Sequence, residues 1–234
     1  MTRMSSMSGR SLAGLTVASL LAVTGCANGS AGADQSPEEV LAAAKTELDE
    51  TSGVHVSLAT EKLPPAVDGI LSAEGVGTHD PAFDGELVVA TGGITADVSV
   101  VAVDGTVYAK LPFTSEFVEI DPASYSAPDP AALMRPEGGL SSLLTAAEGL
   151  EEGDPVREKE QVLTEYTGTV PGDAVATIIP SAAPTSDFDA TFTVADDDRL
   201  AEAELTGPFY PEADDVTYTI SFDEYGTTQD ITAP

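Results

Sequence analysis

Two histidines, one cysteine and forty carboxylates are the residues with which this 234-residue chain could do chemistry. His55 sits in an alternating stretch and is expected on the outward side of a strand, while His79 falls in the turn Thr78-His79-Asp80-Pro81. A hydrolytic triad needs a histidine to activate its nucleophile, and the sequence contains no Gly-x-Ser-x-Gly elbow for either histidine to serve. A His-Glu-x-x-His zinc motif is also absent from the sequence. No enzymatic activity is expected. Asp196-Asp197-Asp198, Asp214-Asp215 and Glu151-Glu152-Gly153-Asp154 offer the oxygens that calcium collects. None has the EF-hand spacing with its central glycine and terminal glutamate, so solvated turns are expected and neither a metal nor a cofactor is assigned.

The cysteine reads differently. Residues 1–10 carry Arg3 and Arg10 and no acid, and Ser11 to Val23 is then an apolar run. Small residues follow, ending at Cys26. A basic start, a short apolar stretch and a small-residue cleavage point make a secretory signal. Thirteen helical residues reach roughly 20 Å, short of the ~30 Å hydrocarbon layer, so a permanent span is excluded. The stretch Leu20 to Cys26, LLAVTGC, resembles the lipobox of bacterial lipoproteins. That resemblance implies cleavage after Gly25 and lipidation of Cys26, with acyl chains such as palmitate. Two or more such chains anchor a protein stably. The expected organisation is a signal over 1–25, the lipidated cysteine and a small, polar tether over 26–35, and one domain over 36–234. The body is expected outside the membrane, held to the outer face of the cytoplasmic membrane.

The remaining charge excludes other partners. Lys+Arg is 9 against Asp+Glu 40, a net charge of −31. Nucleic-acid binding runs on counter-ion release by basic side chains, which are scarce here. Binding to anionic headgroups needs lysine and arginine clusters for the same reason. The apolar content is mostly aliphatic, with 6% aromatic residues and no Trp.

The elements that must position any site are legible in the patterning. Ser36-Pro37-Glu38-Glu39 makes a capping box with proline at the first helical position. Val40, Leu41, Ala44 and Leu48 then share a helical face, and Gly53 is placed to end the helix. From Val54 the period drops to two. Val54, Val56 and Leu58 alternate with polar residues, as do Leu87 and Val89. Val107, Ala109 and Leu111 follow the hairpin dipeptide Asp104-Gly105. Further strands are expected at 188–194, 200–205 and 216–223. Two short helices are expected, at 139–148 and 173–179. Consecutive alternating strands between turn signals describe an antiparallel meander with one face inward. The fold class is therefore α+β, a curved antiparallel sheet of about eight to ten strands with helices packed on one face.

Several stretches in order, VDGTVYAKL at 103–111, YSAPDPAALMRPEGGLSSLL at 125–144, PGDAVATIIP at 171–180, RLAEAELTGP at 199–208 and VTYTISFDEYG at 216–226, resemble the LppX/LprG family of actinobacterial cell-envelope lipoproteins. The resemblance implies a half-open β-barrel whose concave face carries helices and encloses an apolar cavity. It also implies a carrier that binds acyl chains of lipids or glycolipids and helps move them toward the outer envelope. Its partners would be a di- or triacylated lipid or glycolipid and a membrane lipid exporter.

The cavity reading assigns lipid contact to the inward strand positions Leu87, Val89, Val98, Val100, Val107 and Ala109, and to Leu140, Leu143, Leu144 and Ile178 from the helices. By alternation alone the same positions read as packed core, since any half-buried strand shows it. A second function class stays open, a lipid-anchored surface scaffold that binds another envelope protein. The prolines at 128, 130 and 136 stiffen the loop before the Leu-rich helix, and the family resemblance implies that this loop flanks the cavity mouth, with the pair Gly138-Gly139 as a hinge.

Overall fold

The computed structural model describes residues 35–234. The signal over 1–25, Cys26 and most of the tether lie outside the described residues. Helix α1, Pro37–Glu50, begins as its sequence requires. The Ser36 hydroxyl accepts from the Glu39 amide at 3.3 Å, and the Glu39 carboxylate accepts from the Ser36 amide at 2.9 Å. Its buried stripe is Leu41, Ala44 and Leu48. The helix stops at Thr51, and Gly53 is already the first residue of β1. A Cβ there would stand 2.7 Å from the Thr227 carbonyl oxygen, so this glycine serves a close backbone approach rather than a helix cap.

Twelve antiparallel strands form a single sheet. They are β1 Gly53–Ala59, β2 Gly69–Thr78, β3 Ala82–Thr91, β4 Ile94–Val103, β5 Thr106–Lys110, β6 Val118–Ile120, β7 Glu148–Glu152, β8 Val156–Glu158, β9 Gln161–Pro171, β10 Asp187–Ala195, β11 Leu200–Gly207 and β12 Val216–Asp223. Their order is β6-β5-β4-β3-β2-β1-β12-β11-β10-β9-β7, with β8 also on β9, so the curved sheet stays open. The strands beyond the expected number include β6, β7 and β8, which are three to five residues long and mostly exposed. Such strands carry no alternation to read. At the β4–β5 hairpin Asp104 and Gly105 both take positive φ, 55° and 74°, as the tight hairpin turn demands.

The second helix is shorter than its pattern. Helix α2 spans Ser142–Ala146, and Glu148 opens β7. Residues 139–141 go instead into tight i+3 turns, Ser142 donating to the Gly139 carbonyl and Leu143 to that of Leu140. Helix α3 is Gly172–Ile178. Helix α1 packs on β7, β10 and β11, α2 on α1, α3 and β9, and α3 on β9. The helical cover thus lies over one half of the sheet.

Candidate functional site

Register fixes which side chains share the inner face. On β3, Leu87 and Val89 stand opposite Ala73 and Ile70 of β2 and opposite Val98 and Ala96 of β4. Val56 and Leu58 of β1 continue the rows through Gly75 and Ala73. Val100 leads through Ala109 to Val118, and Ala102 through Val107 to Ile120. Every position along these rows is aliphatic or glycine, except Phe83 opposite Ala102.

The two halves of this face are covered differently. Over β9–β12 it is packed shut. Phe188, which lies against Gly207, meets Phe209 edge-on at 4.9 Å, and Phe209 meets Tyr218 at 5.1 Å. Edge-to-face pairs of this kind add to the burial of the rings themselves. At the border the Tyr218 hydroxyl donates to the Ile70 carbonyl at 2.8 Å and lies 2.7 Å from that of Tyr210. Loss of hydration pushes both phenols above their ordinary range.

Over β2–β5 the cover is partial. Met134 lies on Gly77, and Ala131 joins a separate cluster with Phe83, Val98, Val100, Ala102, Val107 and Ala109. Toward the other end of the same strands Leu87, Val89, Val56, Leu58, Ile70, Ala73 and Ala96 are only half-buried. By parity Ile94, Leu111 and Val118 continue the inner rows, and they are 65%, 39% and 42% exposed. The result is an apolar stretch of the inner face, roofed at one end and open at the other, here called the trough.

Of the strand positions expected at the site, Val98, Val100, Val107 and Ala109 are buried together in one cluster, as a packed core would have them, and Leu87 and Val89 lie half-buried against it. The helical ones do not join them. Leu143, Leu144 and Ile178 are buried in the β9–β12 core, and Leu140 packs against it. The sequence reading missed Ile70, Ala73 and Ala96, while Val56 and Leu58 border the trough but pack against the β9–β12 core. Only the register shows that the first three adjoin the trough.

Two concavities stand out among the described residues. One is a polar depression of about 320 Å³ on the opposite face, bordered by Thr167, Thr169, Asp189, Thr191, Glu204 and Thr206. The other, about 10 Å³, lies between His79, Asp49, Ser141, Met134 and Phe222. Both ring nitrogens of His79 are enclosed without a hydrogen-bond partner. His55 stands on the outward face, its Nδ1 2.8 Å from Asp223 Oδ1 and its Nε2 3.5 Å from Glu74 Oε1. Among the described residues no group of three or more His, Cys, Asp or Glu is arranged to hold a metal ion. No helix among them is long and apolar enough to cross a membrane.

The fold is similar to two solved structures. LprF from Mycobacterium bovis matches over 85% of this chain and 96% of its own, at 15% identity and a TM-score of 0.68. Lipoprotein LppX from Mycobacterium tuberculosis matches over 86% and 100%, at 16% identity and a TM-score of 0.61. No curated protein matches the sequence. A family profile, LppX_LprAFG lipoprotein, matches residues 36–231. Because that match runs from the N-cap of α1 through the last strand and beyond, the chain belongs to the LppX_LprAFG lipoprotein family.

Proposed function

We propose that this protein is a non-catalytic carrier that seats the acyl chains of a lipid or glycolipid in the half-open trough over β1–β5 and moves them toward the outer envelope. Acylated Cys26 would hold it at the outer face of the cytoplasmic membrane, and a membrane exporter would load it. One observation carries the reading: a continuous aliphatic face whose helical cover lies over the other half of the sheet, leaving Leu87, Val89 and their neighbours half-buried. Apolar surface left uncovered in a folded domain marks a place where something else is buried. A site for acyl chains wants such a lining with few polar groups.

The scaffold alternative draws on the exposed Ile94, Leu111 and Val118. Those residues extend the trough's own rows and lie on the inner face, so they favour one continuous lipid surface over a separate docking patch.

Native mass spectrometry of the protein from an actinobacterial host, with organic extraction, tests the reading. Two- or three-chain lipids at about one per protein are expected, and Leu87→Trp, which fills the trough, is expected to lose them with circular dichroism unchanged. A bare protein that takes up no added diacyl or triacyl lipid would sink the proposal.

A further inference from the structure

The open end of the trough has a tip that the lining does not explain. Strands β3 and β4 turn at Gly92-Gly93, and β5 ends at Lys110 opposite Ser99, so loop 111–117 and the β3–β4 hairpin leave the sheet on the same side. The β1–β2 connection leaves there too, since Gly69 pairs with Ala90. At this corner Phe113 is fully exposed. It is held out by a turn, Thr114 donating its amide to the Leu111 carbonyl at 3.1 Å and its hydroxyl to the same oxygen at 2.7 Å. Phe113 itself has φ +67°, a backbone conformation that bulky side chains rarely adopt. An aromatic ring kept in water by a strained backbone is unfavourable on both counts, and strain of this sort gathers at working sites.

The apolar tips of this corner stand among charged neighbours: Asp68 accepts from the Gly92 amide at 2.9 Å and the Thr91 hydroxyl at 3.2 Å, and Glu61, Lys62, Lys110 and Glu116 lie in the adjoining chain. The chain carries 40 acids, yet 88–96 (VVATGGITA) and 111–115 (LPFTS) contain no ionisable side chain. Contact with anionic headgroups has no basic cluster to support it. Exposed apolar side chains on uncharged tips, with no basic cluster beside them, suit the acyl layer of a zwitterionic leaflet instead. From Cys26 to Gln35 is nine residue steps, which reach at most about 30 Å, so a lipidated Cys26 would hold the start of α1 within that distance of a leaflet.

We propose that Phe113, with the exposed Ile94 and Leu111 at the same end of the sheet, enters the acyl layer of a membrane leaflet, so that a lipid chain passes from bilayer to trough without crossing water. The proposal rests on the carrier reading for its purpose, but its test does not. The chain has no Trp, so Phe113→Trp in the full-length acylated protein is a single fluorescent reporter, and Val156→Trp on β8, at the far edge of the sheet, is its control. In phosphatidylcholine vesicles the emission at 113 is expected to shift to the blue and to be quenched by brominated acyl chains, while that at 156 stays unshifted and unquenched. Water-like, unquenched emission at 113 overturns the proposal. So does a blue shift without vesicles that grows with protein concentration, which would mean that a second copy covers the corner. Quenching at 113 in a protein that takes up no lipid would uphold the docking and remove the carrier reading. Lipid uptake without quenching would do the reverse.

Discussion

Tyr218 shows how a single side chain ties the two halves of the inner face together. Its hydroxyl donates a hydrogen bond to the carbonyl of Ile70, at the start of β2, from the middle of β12. Burial, with the adjoining Tyr210 hydroxyl, holds its ionisation above the ordinary value of 10.0. The folded state therefore keeps a proton that the unfolded chain releases above pH 10, so the stability this confers is complete below pH 10 and fades as pH rises beyond it. Tyr218→Phe is expected to cost about 1–3 kcal/mol at neutral pH, because the Ile70 carbonyl is left unpaired. It should also shallow the decline of stability above pH 10 without abolishing it, since Tyr210 and Tyr225 are shifted in the same direction. Urea unfolding at pH 8 and pH 11 measures both; equal slopes for the two proteins would refute the assignment.

Among the elements, the loop before α2 is held more firmly than a glycine hinge suggests. Lys45 of α1 donates to the Pro136 carbonyl at 2.8 Å and pairs with Asp49, whose other oxygen accepts from the Ser141 hydroxyl at 2.6 Å. Gly138 has φ +70° with open space around it, whereas a Cβ on Gly139 would stand 2.1 Å from the Arg135 carbonyl oxygen. The pair thus combines one turn glycine with one packing glycine. Gly139→Ala is expected to destabilise by about 1–3 kcal/mol, the usual cost of overpacking against backbone that cannot yield. Ser141→Ala should raise amide exchange over 136–144 by leaving Asp49 and Lys45 half-satisfied. Unchanged exchange would mean that the network does not hold the loop. The pairing Lys45–Ser141 spans 96 residues and has no signature in the sequence, whereas the capping box of α1 was fully legible because it is closed within four residues.

At the scale of the whole molecule, charge dominates. The full chain has a net charge of −31, and among the described residues the lysine and arginine pairs are Lys45–Asp49 and Arg199–Asp197. Most carboxylates therefore repel without compensation, and salt should stabilise by screening them. Raising sodium chloride from 0.01 to 0.5 M is expected to add about 1 kcal/mol or more, roughly 2–4 °C in Tm for a domain this size. A melting temperature independent of salt would show that the acids are too widely spaced to matter.

The sequence by itself determined much of what depends on near neighbours, though not the end of α1 or the length of α2. Alternation put Leu87, Val89, Val98, Val100, Val107 and Ala109 on one side of their strands, because successive side chains must point to opposite faces. Asp104-Gly105 set its hairpin through the positive φ that it tolerates, and the ordered stretches from 103 to 226 were enough to reveal the family. The cover over that face was a different matter. Leu140, Leu143, Leu144 and Ile178 are as apolar as the strand positions, and nothing in their spacing says which half of a twelve-stranded sheet they will shield. That choice lies in the packing of α1, α2 and α3 against β7 and β9–β11. It leaves β1–β5 partly bare and Phe113 in water, since burial is a property of contacts between distant segments and only the tertiary structure assembles them.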